Sequence, residues 1–278
     1  MIGDLHEFAE TIVREAGARV RRSLGRVAVE HKGEIDLVTE ADRASEAYLI
    51  ASITERFPDH AILAEESGHG QEDGPYRWIL DPLDGTTNFA HGIPHFAVLV
   101  ALQRRTDSAW ETVAATTYDP MRSECFTALR GRGAWLNGAA IRVSETSSLI
   151  RSSGATGFPY DRWTGDDNHA EFCALNLLTR GVRRFGSAGL DLAWVACGRF
   201  DYYWERSLNP WDLAGGALLV AEAGGVVTTI AGEAFDPDGG ELACGGSVHP
   251  ALIEALALAR RAPINDRSAL EALRAVTP

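Results

Sequence analysis

Between His95 and Leu129 the chain passes through three strand-like runs in succession, with turn signals near Asp107 and at Asp119-Pro120. Consecutive strands joined by short turns make an antiparallel meander. Ala134-Trp135-Leu136-Asn137-Gly138 reads as a further hairpin turn. Helices flank this block. Leu5, Phe8, Ile12, Val13, Ala16 and Val20 recur at helical spacing, so the first two dozen residues form an amphipathic helix. A second helix is expected from about Glu40 to Phe57, ended by Pro58. Between them Val27–Lys32 is strand-like. Ala61–Ala64 and Arg77–Asp81 are short apolar strands, the latter expected to stop at Pro82.

The second half changes character. Strand-like Ile150–Thr156, a helix near Asp167–Thr179, Val182–Phe185, a helix near Ser187–Cys197, strand Phe200–Trp204 and a helix over Trp211–Ala223 follow one another. A strand at Val226–Ile230, another near Leu242–Cys244 and a helix over His249–Arg260 complete the set. Large sheets covered by helices are the packing solution for such an order. No linker separates the halves. One catalytic unit over residues 1–262 is expected, in two intimate lobes of about 1–147 and 148–262, with 263–278 as an appended segment forming one short helix.

Charge narrows the function. There are 26 Lys+Arg against 39 Asp+Glu, a formal net charge of −13, which argues against broad contact with a nucleic-acid backbone. The N-terminal segment lacks a basic region followed by an apolar one, and no apolar run approaches the roughly 20 residues that span a bilayer. The four cysteines, Cys125, Cys173, Cys197 and Cys244, lie far apart, as free thiols in a reducing compartment do. A cytoplasmic protein without membrane contact is expected.

The chemistry concentrates in Trp78-Ile79-Leu80-Asp81-Pro82-Leu83-Asp84-Gly85-Thr86-Thr87-Asn88-Phe89. An apolar strand delivers Asp81, and Asp84 follows within a turn. Two carboxylates and the intervening Leu83 carbonyl can then converge on one point, a hard-oxygen set that suits Mg²⁺. Gly85-Thr86-Thr87 offers consecutive N–H groups for an anion. Asp84 also reads as an N-cap for a helix beginning at Gly85, and Asp212, in Asn209-Pro210-Trp211-Asp212-Leu213-Ala214-Gly215, as another. Carboxylates at three chain-distant element ends, counting Glu65-Glu66, are less easily explained by capping.

Asp81-Pro82-Leu83-Asp84-Gly85-Thr86-Thr87-Asn88-Phe89, with Glu65-Glu66-Ser67 upstream and Trp211-Asp212-Leu213-Ala214-Gly215 downstream, resembles the inositol monophosphatase family. The likeness extends to Asp36-Leu37-Val38-Thr39-Glu40-Ala41-Asp42, Gly186-Ser187-Ala188 and Ala221-Glu222-Ala223-Gly224-Gly225, and covers about residues 5–260. It implies an αβαβα sandwich, of the inositol monophosphatase and fructose-1,6-bisphosphatase type, binding two to three Mg²⁺ between its halves. By that resemblance Glu65, Asp81 and the Leu83 carbonyl hold a first ion. Asp81, Asp84 and Asp212 hold a second, and Glu65 with water a third. Thr86 and Glu65 orient the attacking water, Asp42 hydrogen-bonds the threonine, and Lys32 is a basic residue near the mobile metal loop. Lys32 also reads as a solvated side chain before a turn.

On the alcohol side the resemblance assigns Glu205 to substrate hydroxyls, Gly186-Ser187-Ala188 to a loop beside the ring and Arg183 to a nearby cation. Asp84, Asp212 and the Gly85, Thr86 and Thr87 amides complete the substrate contacts. Glu205 as a solvated strand end and Arg183 as surface charge stand as alternatives. The expected activity is Mg²⁺-dependent hydrolysis of a small polyol phosphate, myo-inositol monophosphate first. The same chemistry on 3′-phosphoadenosine 5′-phosphate, fructose 1,6-bisphosphate or histidinol phosphate is the alternative. A binding or regulatory protein that retains the site is the reading from another class. The family resemblance also implies a homodimer.

Overall fold

The computed structural model of the chain describes residues 2–26, 29–31, 37–69, 74–107, 109–159 and 168–261. Lys32, Asp36 and the helix expected within 263–278 lie outside the described residues. The first half comprises α1 (Ile2–Ser23), β1 (Val29–His31), β2 (Leu37–Thr39), α2 (Glu40–Arg56), β3 (Ala61–Ala64), β4 (Gly68–His69), β5 (Tyr76–Asp84) and α3 (Thr86–Ala90). The meander follows as β6 (Ala97–Arg105), β7 (Trp110–Asp119), β8 (Glu124–Leu129), β9 (Gly133–Leu136) and β10 (Ala139–Ala140). The second half comprises β11 (Gly154–Thr156), α4 (His169–Leu178), β12 (Val182–Arg183), α5 (Ala188–Ala196) and β13 (Tyr202–Arg206). It closes with α6 (Pro210–Glu222), β14 (Val226–Thr228), β15 (Glu241–Gly245) and α7 (His249–Arg261).

Two sheets carry the architecture. The larger has the order β10-β9-β8-β7-β6-β5-β3-β4 and the smaller β12-β11-β13-β15-β14. Alternation along the strands decides what covers each face. Trp78, Leu80, Val98, Val100 and Leu102 pack with Leu49 and Ile53 of α2 and with the α1 stripe of Leu5, Ala9, Ile12, Val13, Ala16 and Val20. Ile79 and Ala101 point the other way, onto Ala214 of α6. Strand β13 repeats the pattern. Tyr203 packs into the layer of α5 and α6, and Tyr202 and Trp204 face Leu252 and Leu256 of α7. The layers therefore run α1/α2, large sheet, α5/α6, small sheet, α4/α7, the αβαβα sandwich. Each fully buried large apolar side chain, Trp78 and Trp204 among them, contributes about 1.5–3 kcal/mol.

Two local expectations change. Strand β5 does not stop at Pro82 but runs to Asp84. Its pairing with β3 ends at Leu80, so the missing proline N–H costs no ladder bond on that side. On the other side Asp81 pairs Leu99 and Asp84 pairs Ala97, three steps against two, which is a β-bulge. The strand expected over Ile150–Thr156 is a 3₁₀ turn, Leu149–Arg151, followed by the short β11. The Ser152 hydroxyl donates to Leu149 O at 2.6 Å and closes that turn. Among the described residues no helix is long and apolar enough to cross a membrane.

Candidate metal and phosphate site

In a regular strand, residues three apart project to opposite faces. The bulge in β5 adds one residue and restores the parity, so Asp81 and Asp84 turn to the same side. Asp81 Oδ1 accepts from the Leu83 N–H at 3.0 Å, which fixes the tight backbone between them. Gly85 then takes a left-handed conformation, φ 90°, and passes within 3.1 Å of His95 O and 3.2 Å of Gly186 O, measured from where a Cβ would stand. Only glycine fits both conditions. On the α2 side Ser45 Oγ donates to Pro82 O at 2.8 Å, and Glu46 Oε2 accepts from Glu66 N at 2.8 Å. These bonds hold the Glu65-Glu66 turn and the bulge against one helix.

Asp42 is the third residue of α2 and closes a capping box with Thr39. Its Oδ1 accepts from the Thr86 hydroxyl at 2.9 Å. Thr86 also lies 3.0 Å from Leu83 O, so its single proton has two available acceptors. Burial pushes Asp42 up, against the hydrogen bonds from Thr39 and Thr86 that lower it.

The second half closes the site. Ser187 Oγ donates to Asp84 Oδ2 at 2.6 Å and the Gly189 N–H to the same oxygen at 2.8 Å, seating Asp84 at the start of α5. Asn88 reaches across the halves, its Nδ2 2.6 Å from Phe185 O and 2.8 Å from His95 O. Asp212 caps α6 by accepting from Asn209 N at 2.8 Å, and so serves as cap and site residue together. Asp81, Asp84 and Asp212 present oxygens within 4.8 Å of one another. Burial, then repulsion from the negative charge of Glu65, pushes Asp81 well above the usual carboxylate range, and burial, then Asp84, pushes Asp212 up to about 8. Burial raises Asp84 to about 6 against the α5 donors. Three converging acids with oxygen donors alone fit a hard divalent cation, which reverses that repulsion.

Glu65, Leu83, Asp84, Gly85, Thr86, Gly186, Ser187, Ala188, Glu205 and Asp212 line one cavity with Asp81. Thr87 and Arg183 do not line it. Arg183 belongs to β12 and its Nη1 folds back over Gly181, whereas Arg184 lines the cavity. Neighbours on an extended chain project oppositely, so an expectation placed one residue off lands on the wrong face. Glu205 is buried, not a solvated strand end. Burial raises it to about 7, while the Tyr203 hydroxyl, which donates to it, and Arg184 lower it.

Sequence reasoning missed the supports of Glu205. A Cβ on Gly157 would overlap its carboxylate. Asn168 holds that glycine in place, with its Nδ2 2.9 Å from Gly157 O and its Oδ1 accepting from Trp204 Nε1 at 2.6 Å. It also missed Asp191, buried at 1% exposure in the cavity lining. The Asp in Leu190-Asp191-Leu192, a lone acid in an apolar helix, was the available signal.

The model of the inositol monophosphatase family matches residues 3–262. An inositol-1-monophosphatase of Synechocystis sp. is 49% identical over 90% of this chain and 88% of its own length. A protein of Pseudomonas aeruginosa named Nus factor SuhB is 46% identical over 79% of this chain and 83% of its own. The structure of an inositol monophosphatase from Anabaena (Nostoc) sp. superposes with a TM-score of 0.84 at 42% identity, covering 95% of this chain and 98% of that one.

Proposed function

The chain belongs to the inositol monophosphatase family and is a phosphatase; we propose that it hydrolyses myo-inositol monophosphate to inositol and phosphate with Mg²⁺ as its cofactor. The observation that carries this reading is the convergence of Asp81, Asp84 and Asp212 at the floor of a cavity that also holds a buried Glu205. Glu65, Asp81 and Leu83 O would hold one Mg²⁺, and Asp81, Asp84 and Asp212 a second; Glu65 with water would hold a third. When bound, the ions make hydroxide accessible near neutral pH and neutralise charge on the leaving alkoxide.

The chain's own residues do the rest. Thr86 has one hydroxyl proton, and donating it to Asp42 leaves its lone pairs to accept from the attacking water. Glu65 orients the same water together with Thr86, as the resemblance implies. Gly85 and Thr86 offer the first amides of α3 to the non-bridging phosphate oxygens, with Thr87 next in line. Positioning and charge neutralisation are most of what phosphoryl transfer requires. Glu205 accepts from hydroxyls of the alcohol, and Arg184 supplies the cation expected of Arg183. The role of Lys32 rests on the resemblance alone. This reading takes residues 1–262 as one catalytic unit, with each half supplying part of the site.

Steady-state kinetics on inositol 1-phosphate, 3′-phosphoadenosine 5′-phosphate, fructose 1,6-bisphosphate and histidinol phosphate, with and without Mg²⁺, test the reading. The inositol ester should lead in kcat/KM, and substrate affinity should collapse in EDTA. A tenfold advantage for the adenosine bisphosphate would overturn the choice of substrate. A homodimer is expected, to be checked by size-exclusion chromatography with light scattering. Relatives named Nus factor SuhB give a second reading, a partner role in an assembly alongside catalysis. Pull-down from lysate with and without Mg²⁺ would expose it, and recovery of the bare chain alone would remove it.

A further inference from the structure

Structural carboxylates in this protein are well met. Asp119 accepts from the N–H groups of Met121 and Arg122 and from the Arg122 guanidinium. Asp201 accepts from Ser144 Oγ and Ser153 N. Glu222 accepts from three successive amides, Gly131, Arg132 and Gly133. Asp191 breaks the pattern. It is 1% exposed, lines the cavity, and its Oδ1 has no hydrogen-bond partner among the described residues. Its charged neighbours are acids, Glu205 and Asp84. The helix around it is otherwise apolar, from Ala188 to Ala196. A buried acceptor left unmet is costly, and a leucine there would carry no such cost.

The missing donor is therefore to be sought in the ligand. Glu205 stands across the cavity lining on β13, with Oε2 engaged by the Tyr203 hydroxyl and the carboxylate pressed over Gly157. Two carboxyl groups from different elements thus face the same cavity, each within electrostatic reach of Asp84. Carboxyl groups in that position hydrogen-bond neutral O–H groups, which sets the hydroxyl-bearing end of a polyol phosphate apart from its phosphate end. We propose that Asp191 is a specificity-determining residue that, together with Glu205, hydrogen-bonds adjacent hydroxyls of the alcohol portion of the substrate. This deepens the polyol-phosphatase reading and rests on it.

The test compares inositol 1-phosphate with p-nitrophenyl phosphate, which lacks neighbouring hydroxyls, in the Mg²⁺-loaded full-length protein. Asp191→Ala should raise KM for the inositol ester about tenfold or more with kcat within threefold, and should lower kcat/KM for the aryl ester no more than threefold. Asp191→Asn, which keeps an acceptor and adds a donor, should recover most of the KM. An equal loss on both esters, or no loss on either, would overturn the proposal, the first by marking Asp191 as structural. A wild-type protein with no preference for the inositol ester would instead overturn the substrate reading and this inference with it. A wild-type preference that survives in Asp191→Ala would overturn this inference alone.

Discussion

The two halves of the molecule furnish the same cavity in unlike ways. The first half supplies Asp81, Leu83, Asp84, Gly85 and Thr86 from one unbroken stretch, with Glu65 from the turn that follows the adjoining parallel strand β3. Their geometry follows from covalent spacing and a single bulge. The second half supplies Arg184, Ser187, Asp191, Glu205 and Asp212 from a loop, two helices and a strand. Their geometry follows from packing: Asn168 on Gly157, Tyr203 on Glu205, the start of α5 on Asp84. On the proposed reading, most of the chemistry common to all phosphate esters is thus encoded locally, with Asp212 its one acid from the second half, and the fit to a particular alcohol is distributed over the fold.

The sharpest way to break that division is to cross it. Asp81→Asn in the first half should lower kcat/KM by on the order of 10²–10³-fold on every ester tried, because several kcal/mol of charge stabilisation go with it. A loss confined to the inositol ester would contradict the division. Gly157→Ala in the second half should displace the Glu205 carboxylate and raise KM for inositol 1-phosphate about tenfold, with a smaller effect on p-nitrophenyl phosphate. Equal loss on both would place Glu205 in the common chemistry. Ser187→Ala probes the seam itself. Removing the hydroxyl donor to Asp84 Oδ2 while the Gly189 N–H stays should cost about 1 kcal/mol, or about fivefold in kcat/KM, on both esters.

The seam also has a pH signature that involves no catalysis. His95 of the first half packs its ring 5.0 Å from Phe185 and 5.2 Å from Trp194 of the second. Burial, then Arg122, lowers its pKa from 6.5 to about 4. The unfolded chain therefore binds the extra proton between those values, and stability falls as pH drops from 6.5 toward 4, by at most about 2–3 kcal/mol. Urea unfolding of wild type and His95→Gln at pH 7 and pH 4.5 checks this. The variant should lose less across the interval, and parallel losses would rule the histidine out.

The same division explains what was legible beforehand. Asp81, Asp84 and Thr86 could be read because an apolar strand, a proline and a glycine follow one another in the chain. The layers could be read because helical and strand periodicities differ. Continuation of β5 through Pro82 could not, since it depends on where β3 stops. Arg184 in place of Arg183 depends on which side an extended backbone turns. Gly157 and Asn168 carry no chemistry of their own, and they matter only through Trp204 and Glu205, far along the chain. Such residues become visible only once packing has brought them together.

The bulge in β5 has an implication for how a chain like this can change over generations or in a library. Removing one residue between Asp81 and Asp84 would absorb the bulge and leave the two acids two steps apart on a regular strand, still on one face. What the extra residue adds is a second carbonyl: Pro82 O meets Ser45 while Leu83 O lies beside Thr86. With one residue fewer, a single carbonyl would have to serve both. A randomised pool that varies loop lengths should accordingly tolerate indels at the β7–β8 and β9–β10 turns far better than a deletion inside Asp81–Asp84.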